Sequence, residues 1–180
     1  MKYKDIYIRD ILIDGRGVGE TPDKVAFIEG AVYGEVCDIE VIEEKKNFYN
    51  AKKIKTIKES PVKTQAPCPY FYECGACTIM DIEYQTQLKI KKNLILQAIA
   101  KSTSYKLEDI EIIPSKELRY RNKIRLQVEK DGRLAYNKSY SNDLVYIKDC
   151  FLAREEISKN LDKIEEITKD ISEKFPGTIK

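Results

Sequence analysis

Apolar and polar residues alternate over much of the first third of the chain, which is the pattern of β-strands with one buried face. Over residues 34–42, Cys37, Ile39 and Val41 share one parity, and the other includes Val36, Asp38 and Glu40. The same alternation returns over residues 48–57, and glycines mark turns or bends between the apolar stretches. Several short strands separated by turn signals predict a small β-barrel in this region.

A helical pattern follows a connector that contains Pro61, Pro67 and Pro69, which exclude a helix there. No glycine or proline interrupts residues 81–102, and Asp81 is a suitable N-cap at the start of a helix. The predicted apolar face of this helix consists of Tyr84, Leu88, Ile95 and Ile99.

The last part of the chain returns to strand patterns and closes with a second helix. Strands are predicted at residues 110–113, 120–128, 134–136 and 144–147. Asp131-Gly132 is a hairpin signal between two of them, and an amphipathic pattern over 153–174 predicts a helix that ends at Pro176-Gly177. Strands and helices in this order predict an α+β fold.

Composition limits the classes to which the protein can belong. Of 180 residues, 42% are hydrophobic and 34% are charged, which is typical of a globular chain rather than a disordered one. No apolar run approaches the roughly 20 residues that cross a bilayer, and the N-terminus lacks the apolar segment of a signal peptide. We therefore expect a cytoplasmic protein with no membrane partner.

The chain contains no histidine, which excludes every mechanism that needs imidazole as a base or a metal ligand. Its net charge of +2 does not indicate a polyanionic partner, but basic residues crowd the stretches 45–63 and 119–125. Clustered basic surface favours nucleic-acid binding more than total charge does. Solvated lysine-rich faces are the alternative, and composition leaves both open.

Five cysteines without a secretion signal favour metal or redox chemistry over a disulfide framework. Cys68, Cys74 and Cys77 have the spacing C-x5-C-x2-C, and Gly75 allows the loop that carries them to curl. Three thiolates so placed can converge on one metal centre. The alternative, three buried hydrophobic cysteines, is unusual at this spacing on a proline- and glycine-containing loop.

A four-iron cluster and a structural zinc site each need four ligands. Without histidine, the fourth ligand must be another cysteine or a carboxylate. Cys150 is the better candidate because it follows a predicted strand, whereas Cys37 lies within a strand pattern and is typical of a small core residue. One compact triple with one distant ligand favours an iron–sulfur cluster over zinc. A cluster with four cysteine ligands has no open iron, so we expect a structural or redox-sensing role.

These motifs resemble the RNA (uracil-5-)-methyltransferases that carry an N-terminal TRAM domain and a 4Fe–4S cluster, which act on ribosomal or transfer RNA. The resembling stretches are 14–19, 25–31 and 34–36 for the TRAM pattern, 68–71, 74–77 and 84–91 for the cluster motif and its helix, 120–123 for the opening strand of the central domain and 149–150 for the fourth ligand. The resemblance implies that Cys68, Cys74, Cys77 and Cys150 bind the cluster.

The resemblance also implies a division into two domains. Residues 1-60 would form an OB-like TRAM barrel that binds RNA, and residues 61-180 would contain the cluster loop, the helix and the central β domain. The chain departs from the family pattern at Ala76 and Ala135, where the family often has glycine, but no departure removes a cluster ligand.

Length is the largest departure from the family, whose members continue into a Rossmann-like methyltransferase domain. That domain holds the S-adenosylmethionine loop, the nucleophilic cysteine and the acidic base. This sequence shows no glycine-rich loop for S-adenosylmethionine, and Cys37 does not match the nucleophile. We therefore expect no catalytic residue here and no methyl transfer by this chain alone, whether it is a truncated or a naturally short form. The missing domain is a candidate partner, and it would dock on the apolar helix face.

Six residues are predicted to contact RNA: Lys52, Lys53, Lys55, Arg121, Asn122 and Lys123. The lysines would bind phosphates on a barrel strand, and the later triplet would donate to phosphates or base edges. Exposed strand faces are the alternative for both sets. Tyr70, Phe71 and Tyr72, beside the cysteines, would either shield a cluster from water, which is favoured, or stack on unpaired bases.

The resemblance therefore implies the RNA-binding, iron–sulfur-bearing N-terminal portion of an RNA (uracil-5-)-methyltransferase, with 23S rRNA as the expected substrate. Two alternatives are a stand-alone, non-catalytic RNA-binding module and a redox-sensing iron–sulfur protein.

Overall fold

The computed structural model describes residues 1–105 and 107–175 and divides the chain into two compact units that alternate along the sequence. The first unit consists of Met1–Gln65 and Thr78–Ile113, and the second of Ala66–Cys77 and Pro114–Lys180. The segment Ala66–Cys77, which carries three of the cysteines, thus belongs to the second unit although the chain on both sides of it belongs to the first. The domain boundary at residue 60 remains a prediction, and the helix expected beyond it lies in the same compact unit as the barrel.

The first unit contains a closed five-stranded barrel. Its strands are β1 (Lys2–Ile11), β2 (Gly17–Glu20), β3 (Val25–Glu29), β4 (Val36–Glu44) and β5 (Phe48–Lys58). They follow the order β1-β2-β3-β5-β4 around the barrel, with β3 and β5 parallel and the other neighbours antiparallel. This arrangement is consistent with the predicted OB-like barrel, and closure removes free sheet edges.

The alternation along the strands buries one parity inside the barrel. Cys37 and Ile39 on β4 are fully buried, which confirms the predicted inward face. Gly17 and Gly19, which were predicted to mark a bend, instead lie within β2. A Cβ atom at Gly17 would lie 2.8 Å from Cγ2 of Ile8, so close packing across the barrel excludes a side chain there.

The predicted helix is confirmed as α1 (Tyr84–Ser102), but its start differs from the prediction. Glu83 occupies the N-cap position without a side-chain cap bond, so the assignment of Asp81 as N-cap was wrong. Asp81 is buried, and its carbonyl oxygen accepts a hydrogen bond from the Thr64 amide at 2.7 Å. Asp81 therefore joins the helix approach to the connector instead of capping the helix.

The apolar face predicted for α1 is only partly covered. Ile95 is 49% exposed, and Tyr84, Leu88 and Ile99 are half-buried. The fully buried side of the helix consists of Thr86, Gln87 and Ile90. The Gln87 side-chain amide donates to the Ile82 carbonyl oxygen at 2.8 Å, which allows a polar residue to occupy the buried side.

The second unit combines a small sheet with two helices, which completes an α+β chain. Its elements are β6 (Gln127–Val128), β7 (Leu134–Asn137), β8 (Leu144–Tyr146), α2 (Glu155–Ser158) and α3 (Leu161–Lys174). The strands are antiparallel in the order β6-β7-β8. The predicted hairpin at Asp131-Gly132 is confirmed, and Gly132 has a φ of +83° beside the α3 backbone at Lys169. Glycine is required there both by conformation and by the close approach.

Two predicted strands are wrong in whole or in part. Residues 110–113 form no strand, and Ile113 is 87% exposed without a neighbouring strand to pair with it. Residues 120–126 also lie outside regular strands. The Arg121 amide donates to the Leu152 carbonyl oxygen, and the Arg154 amide donates to the Arg121 carbonyl oxygen, both at 2.8 Å. The backbone N–H and C=O of Arg121 are therefore paired with an irregular segment rather than with a strand ladder.

The last predicted helix is divided. The helix is interrupted between α2 and α3, at Lys159 and Asn160, instead of continuing from residue 153 to 174. The predicted terminator Pro176-Gly177 lies outside the described residues. Across residues 1–105 and 107–175, no helix combines the length and apolarity that a bilayer crossing requires.

Candidate metal centre

The loop that carries Cys68, Cys74 and Cys77 is curled by its own backbone hydrogen bonds. The Phe71 amide donates to the Cys68 carbonyl oxygen at 3.2 Å, and the Cys74 amide donates to the Tyr70 carbonyl oxygen at 2.8 Å. These bonds reverse the chain between the first cysteine and the second, as the spacing predicted.

The end of β7 is hydrogen-bonded to the same loop. The Gly75 amide donates to the Asn137 carbonyl oxygen at 2.9 Å, and Cys74 forms an isolated antiparallel bridge with Lys138. A Cβ atom at Gly75 would lie only 3.1 Å from the Lys138 carbonyl oxygen. Gly75 therefore permits the close approach of the loop to the sheet as well as its curl.

Cys150 reaches the same unit from the segment after β8. Two residues earlier, the Lys148 amide donates to the Tyr70 hydroxyl oxygen at 3.3 Å. The buried Cys150 Sγ lies 4.0 Å from the hydroxyl oxygen of Tyr136, within range of a weak hydrogen bond. Tyr70 thus joins the cysteine loop to the Cys150 segment, and Tyr136 joins β7 to Cys150.

Each of the four thiols interacts electrostatically with the other three, so Cys68, Cys74, Cys77 and Cys150 are neighbours. None of the five cysteines is in a disulfide. Burial, with the neighbouring thiols, raises the pKa of Cys77 to about 12. Burial also raises the pKa of Cys68 and of Cys74. In the absence of metal these thiols keep their protons at neutral pH, and metal binding would release them.

The described residues contain no group of three or more histidine, cysteine, aspartate or glutamate side chains arranged for one metal ion. Zinc holds each sulfur about 2.3 Å from a single point, which places the sulfurs about 3.8 Å apart. A 4Fe–4S cluster binds each thiolate to a different iron and therefore needs a wider spacing. Neighbouring thiols without single-ion geometry are compatible with a cluster, and cluster binding remains a prediction.

Cys37 belongs to the other compact unit. It lies on β4 and is fully buried in the barrel. Burial, together with the charge of Glu35, raises its pKa to about 12. Cys37 is therefore the core residue that its position in an alternating strand predicted.

The aromatic residues beside the cysteines have three different environments. Phe71 is buried, and its ring meets that of Tyr72 edge-on at a centroid distance of 5.1 Å. Tyr70 is half-buried and binds the Lys148 amide, whereas Tyr72 is 67% exposed. Phe71 has the burial expected of a shielding residue, and only Tyr72 is as open as stacking on a base requires.

The three predicted RNA-contacting lysines are not equivalent. Lys53 is half-buried, and its Nζ atom lies 2.9 and 3.1 Å from the two carboxylate oxygens of the buried Glu35. Lys52 is exposed and lies 3.4 Å from Glu40, and Lys55 is exposed. Lys53 is therefore engaged within the barrel, and the exposed lysines are better placed to meet a phosphate.

The second predicted RNA-binding set lies in the second compact unit. Asn122 and Lys123 are exposed, and Arg121 is half-buried. The positive charge of Arg121 acts on Cys77 and Cys150, which places its side chain beside the thiols. Arg121 thus lies beside the candidate metal centre, which differs from the alternative of an exposed strand face, and its predicted RNA contact stays a prediction.

Sequence reasoning missed the surroundings of the Cys150 backbone. Arg119 was noted only as part of a basic stretch, and Asp149 and Ser158 were given no role. In the structure, Arg119 Nη1 lies 2.7 Å from Asp149 Oδ1 and 3.1 Å from the Cys150 carbonyl oxygen. No spacing or periodicity links these residues, and the position of Asp149 next to a candidate ligand was the only available signal.

Comparison with known proteins gives relatives of one kind, although no protein-family model matches the chain. An uncharacterised RNA methyltransferase of Aquifex aeolicus is 30% identical over 168 residues, which cover 92% of this chain and 39% of that protein. The 23S rRNA (uracil(1939)-C(5))-methyltransferase RlmD of Pectobacterium atrosepticum is 30% identical over 163 residues, covering 88% and 36%. An uncharacterised RNA methyltransferase of Bacillus cereus is 35% identical over 154 residues, covering 82% and 33%.

The chain spans less than two fifths of the length of these relatives. Among solved structures, it is similar to the Pyrococcus abyssi tRNA (uracil-54, C5)-methyltransferase in complex with S-adenosyl-L-homocysteine. The match has a TM-score of 0.62 and 22% identity, and it covers 94% of this chain and 37% of that one. At this identity, the structural match shows a shared fold. The homologues of this chain are RNA methyltransferases, and they align with it over most of its length.

Proposed function

We propose that this chain is the RNA-binding, iron–sulfur-bearing portion of an S-adenosylmethionine-dependent RNA (uracil-5-)-methyltransferase that acts on 23S rRNA. The observation that supports the proposal is that Cys68, Cys74, Cys77 and Cys150 all belong to one compact unit and interact electrostatically in every pair. Methyl transfer and S-adenosylmethionine binding are assigned to the part of the relatives that lies outside the aligned region.

The four cysteines would hold a 4Fe–4S cluster, which supplies a covalent cross-link between the cysteine loop and the segment after β8. Four thiolates leave no open iron, so the cluster is assigned a structural role. A cross-link between distant segments restricts the unfolded chain, as a disulfide does, and metal binding energy is then also folding energy.

The barrel would bind RNA through phosphate contacts. Small OB-like barrels are nucleic-acid-binding scaffolds, and exposed lysines on them give affinity with little sequence selection. Lys52 and Lys55 on β5 are the lysines that the structure leaves exposed for this role. Asn122 and Lys123 in the second unit are assigned to the same surface function.

The test is anaerobic purification followed by iron, sulfide and zinc analysis and a visible absorption spectrum. We expect about four iron and four sulfide per chain. Replacement of Cys68, Cys74, Cys77 or Cys150 by serine should lower the iron content sharply, because each removes one ligand. Cys37→Ser is the matched control and should keep the iron. Stoichiometric zinc without sulfide, or retention of full iron content in all four variants, would overturn the proposal.

A further inference from the structure

The backbone carbonyl of Cys150 is held by two side chains from different parts of the second unit. Arg119 Nη1 donates to the Cys150 carbonyl oxygen at 3.1 Å, and the Ser158 hydroxyl donates to the same oxygen at 3.2 Å. The two donors also bind each other, since Arg119 Nη1 lies 2.9 Å from Ser158 Oγ. A carbonyl in an irregular segment is thereby fixed in direction.

The residues on both sides of Cys150 are held by the same arginine. The Arg119 guanidinium makes a two-point contact with Asp149, with Nη1–Oδ1 and Nη2–Oδ2 distances of 2.7 Å each. The guanidinium also lies over the Phe151 ring at 4.9 Å, and the Arg119 amide donates to the Phe151 carbonyl oxygen at 2.9 Å. One residue therefore contacts three consecutive positions centred on Cys150.

The backbone of Arg119, which makes these contacts with residues 149–151, adopts an unusual conformation. Its φ is +57°, in the left-handed region that long side chains rarely occupy. Such a conformation persists only where surrounding contacts determine it, and it often marks a functional constraint. Here the contacts that determine it are those to Asp149 and Phe151 described above.

The four candidate ligands differ in how their positions are determined. Cys68, Cys74 and Cys77 share one loop that is curled by its own hydrogen bonds. Cys150 comes from a remote segment, so its place beside the others depends on tertiary contacts. Groups that orient metal ligands from outside the ligand set commonly determine how firmly the metal is held.

We propose that Arg119, with Asp149 and Ser158, is a positioning residue that holds Cys150 at the fourth ligand site and so retains the iron at that corner of the cluster. The inference rests on the proposed cluster but goes beyond it, because it assigns Cys150 as the ligand whose position, and with it the retention of one iron, depends on surrounding side chains. The guanidinium does not touch the cluster in this role, and it acts through the Cys150 backbone.

The experiment measures loss of a single iron to ferricyanide under anaerobic conditions. A 4Fe–4S core of charge +2 that gives one electron to ferricyanide and releases one Fe²⁺ leaves a 3Fe–4S core of charge +1. The freed cysteine thiolate then takes up a proton. The 3Fe–4S product is counted by electron paramagnetic resonance, and the iron that the protein keeps is measured after ferricyanide and released iron have been removed by desalting. General unfolding differs, because it releases all the iron without accumulating the 3Fe–4S form.

Arg119→Gly removes the guanidinium and suits the left-handed backbone, so it adds no backbone strain. We expect it to form the 3Fe–4S product about tenfold faster than the wild type. Arg119→Lys should resemble it, because lysine cannot make the two-point contact with Asp149. Arg154→Ala, which removes an exposed arginine that pairs with Glu156, is the matched control and should react at the wild-type rate.

Ser158→Ala removes one donor to the Cys150 carbonyl and decides the question if the Arg119 variants fail to fold. We expect a rate several-fold above that of the wild type. Four iron in the wild type, with Arg119→Gly and Ser158→Ala at the wild-type rate, would overturn the positioning role and leave the proposed cluster intact. A wild-type chain without iron and sulfide would overturn both.

Discussion

A lysine's position in a strand does not reveal whether its charge faces solvent or a buried partner. Glu35 is fully buried and accepts hydrogen bonds from Lys53, from the Val32 amide at 2.8 Å and from the Thr56 hydroxyl at 3.4 Å. Lys53 therefore neutralises a carboxylate within the barrel. Lys52 and Lys55 on the same strand remain exposed, and the sequence does not separate the three.

Lys53→Met should lower the free energy of unfolding by about 3 kcal/mol, because it leaves the buried Glu35 carboxylate without its cation. The measurement is urea unfolding followed by circular dichroism. Lys55→Met is the matched control on the same strand, and its exposed position should limit the change to about 0.5 kcal/mol. Equal destabilisation by the two variants would contradict the assignment of Lys53 to the barrel.

At the scale of elements, α3 is attached to the small sheet through one buried carboxylate. Glu165 accepts a hydrogen bond from the Leu134 amide at 3.3 Å, and its Oε1 atom lies 2.8 Å from Lys148 Nζ and 2.7 Å from Lys169 Nζ. The hydrogen bonds from Lys148 and Lys169 lower the pKa of Glu165 to about 2. The charged form of Glu165 is thus the form that joins helix and sheet.

This pKa gives the attachment a defined pH dependence. A lowered folded-state pKa stabilises the fold above the unfolded value of about 4.3, and the contribution is lost as pH falls toward 2. Glu165→Gln should remove about 1–2 kcal/mol of stability at pH 7, since water screens the exposed ends of both lysines. It should also flatten the fall in stability between pH 4.3 and 2.

The measurement is thermal or urea unfolding across pH 2 to 7. Glu166→Gln, at the exposed neighbouring position, is the control and should keep the wild-type pH profile. An unchanged profile in Glu165→Gln would show that another group carries the acid sensitivity of this unit.

For the whole molecule, elements defined by local patterns could be predicted from the sequence, whereas contacts between distant segments could not. The barrel strands and α1 were predictable because alternation and uninterrupted helical periodicity are local patterns. Residues 120–126 were not, because their alternation resembles a strand, whereas the backbone of Arg121 pairs with Leu152 and Arg154 in an irregular segment. The Arg119 contacts to Cys150 were also inaccessible, since they join segments that no spacing relates. The ligand set itself stays a prediction from motif and resemblance.

RNA affinity is the whole-molecule property that the charge distribution should control. Lys55→Ala should weaken binding to a 23S rRNA fragment and reduce the slope of log affinity against log salt concentration by about 1, because one phosphate contact is lost. Lys101→Ala removes an exposed lysine near the end of α1 and serves as the control. Filter binding at several salt concentrations measures both. An unchanged slope for Lys55→Ala would remove β5 from the proposed RNA-binding surface.

The position of Ala66–Cys77 in the second unit, between two segments of the first, has a consequence for biosynthesis. A ribosome releases Cys77 well before Cys150, with α1 and the rest of the first unit emerging in between. At a synthesis rate of about 5–20 residues per second, Cys150 is synthesised several seconds after Cys68, Cys74 and Cys77. If the proposed cluster were delivered during translation it would meet an incomplete ligand set, so the proposal implies that its insertion is completed late, after the barrel has had time to fold.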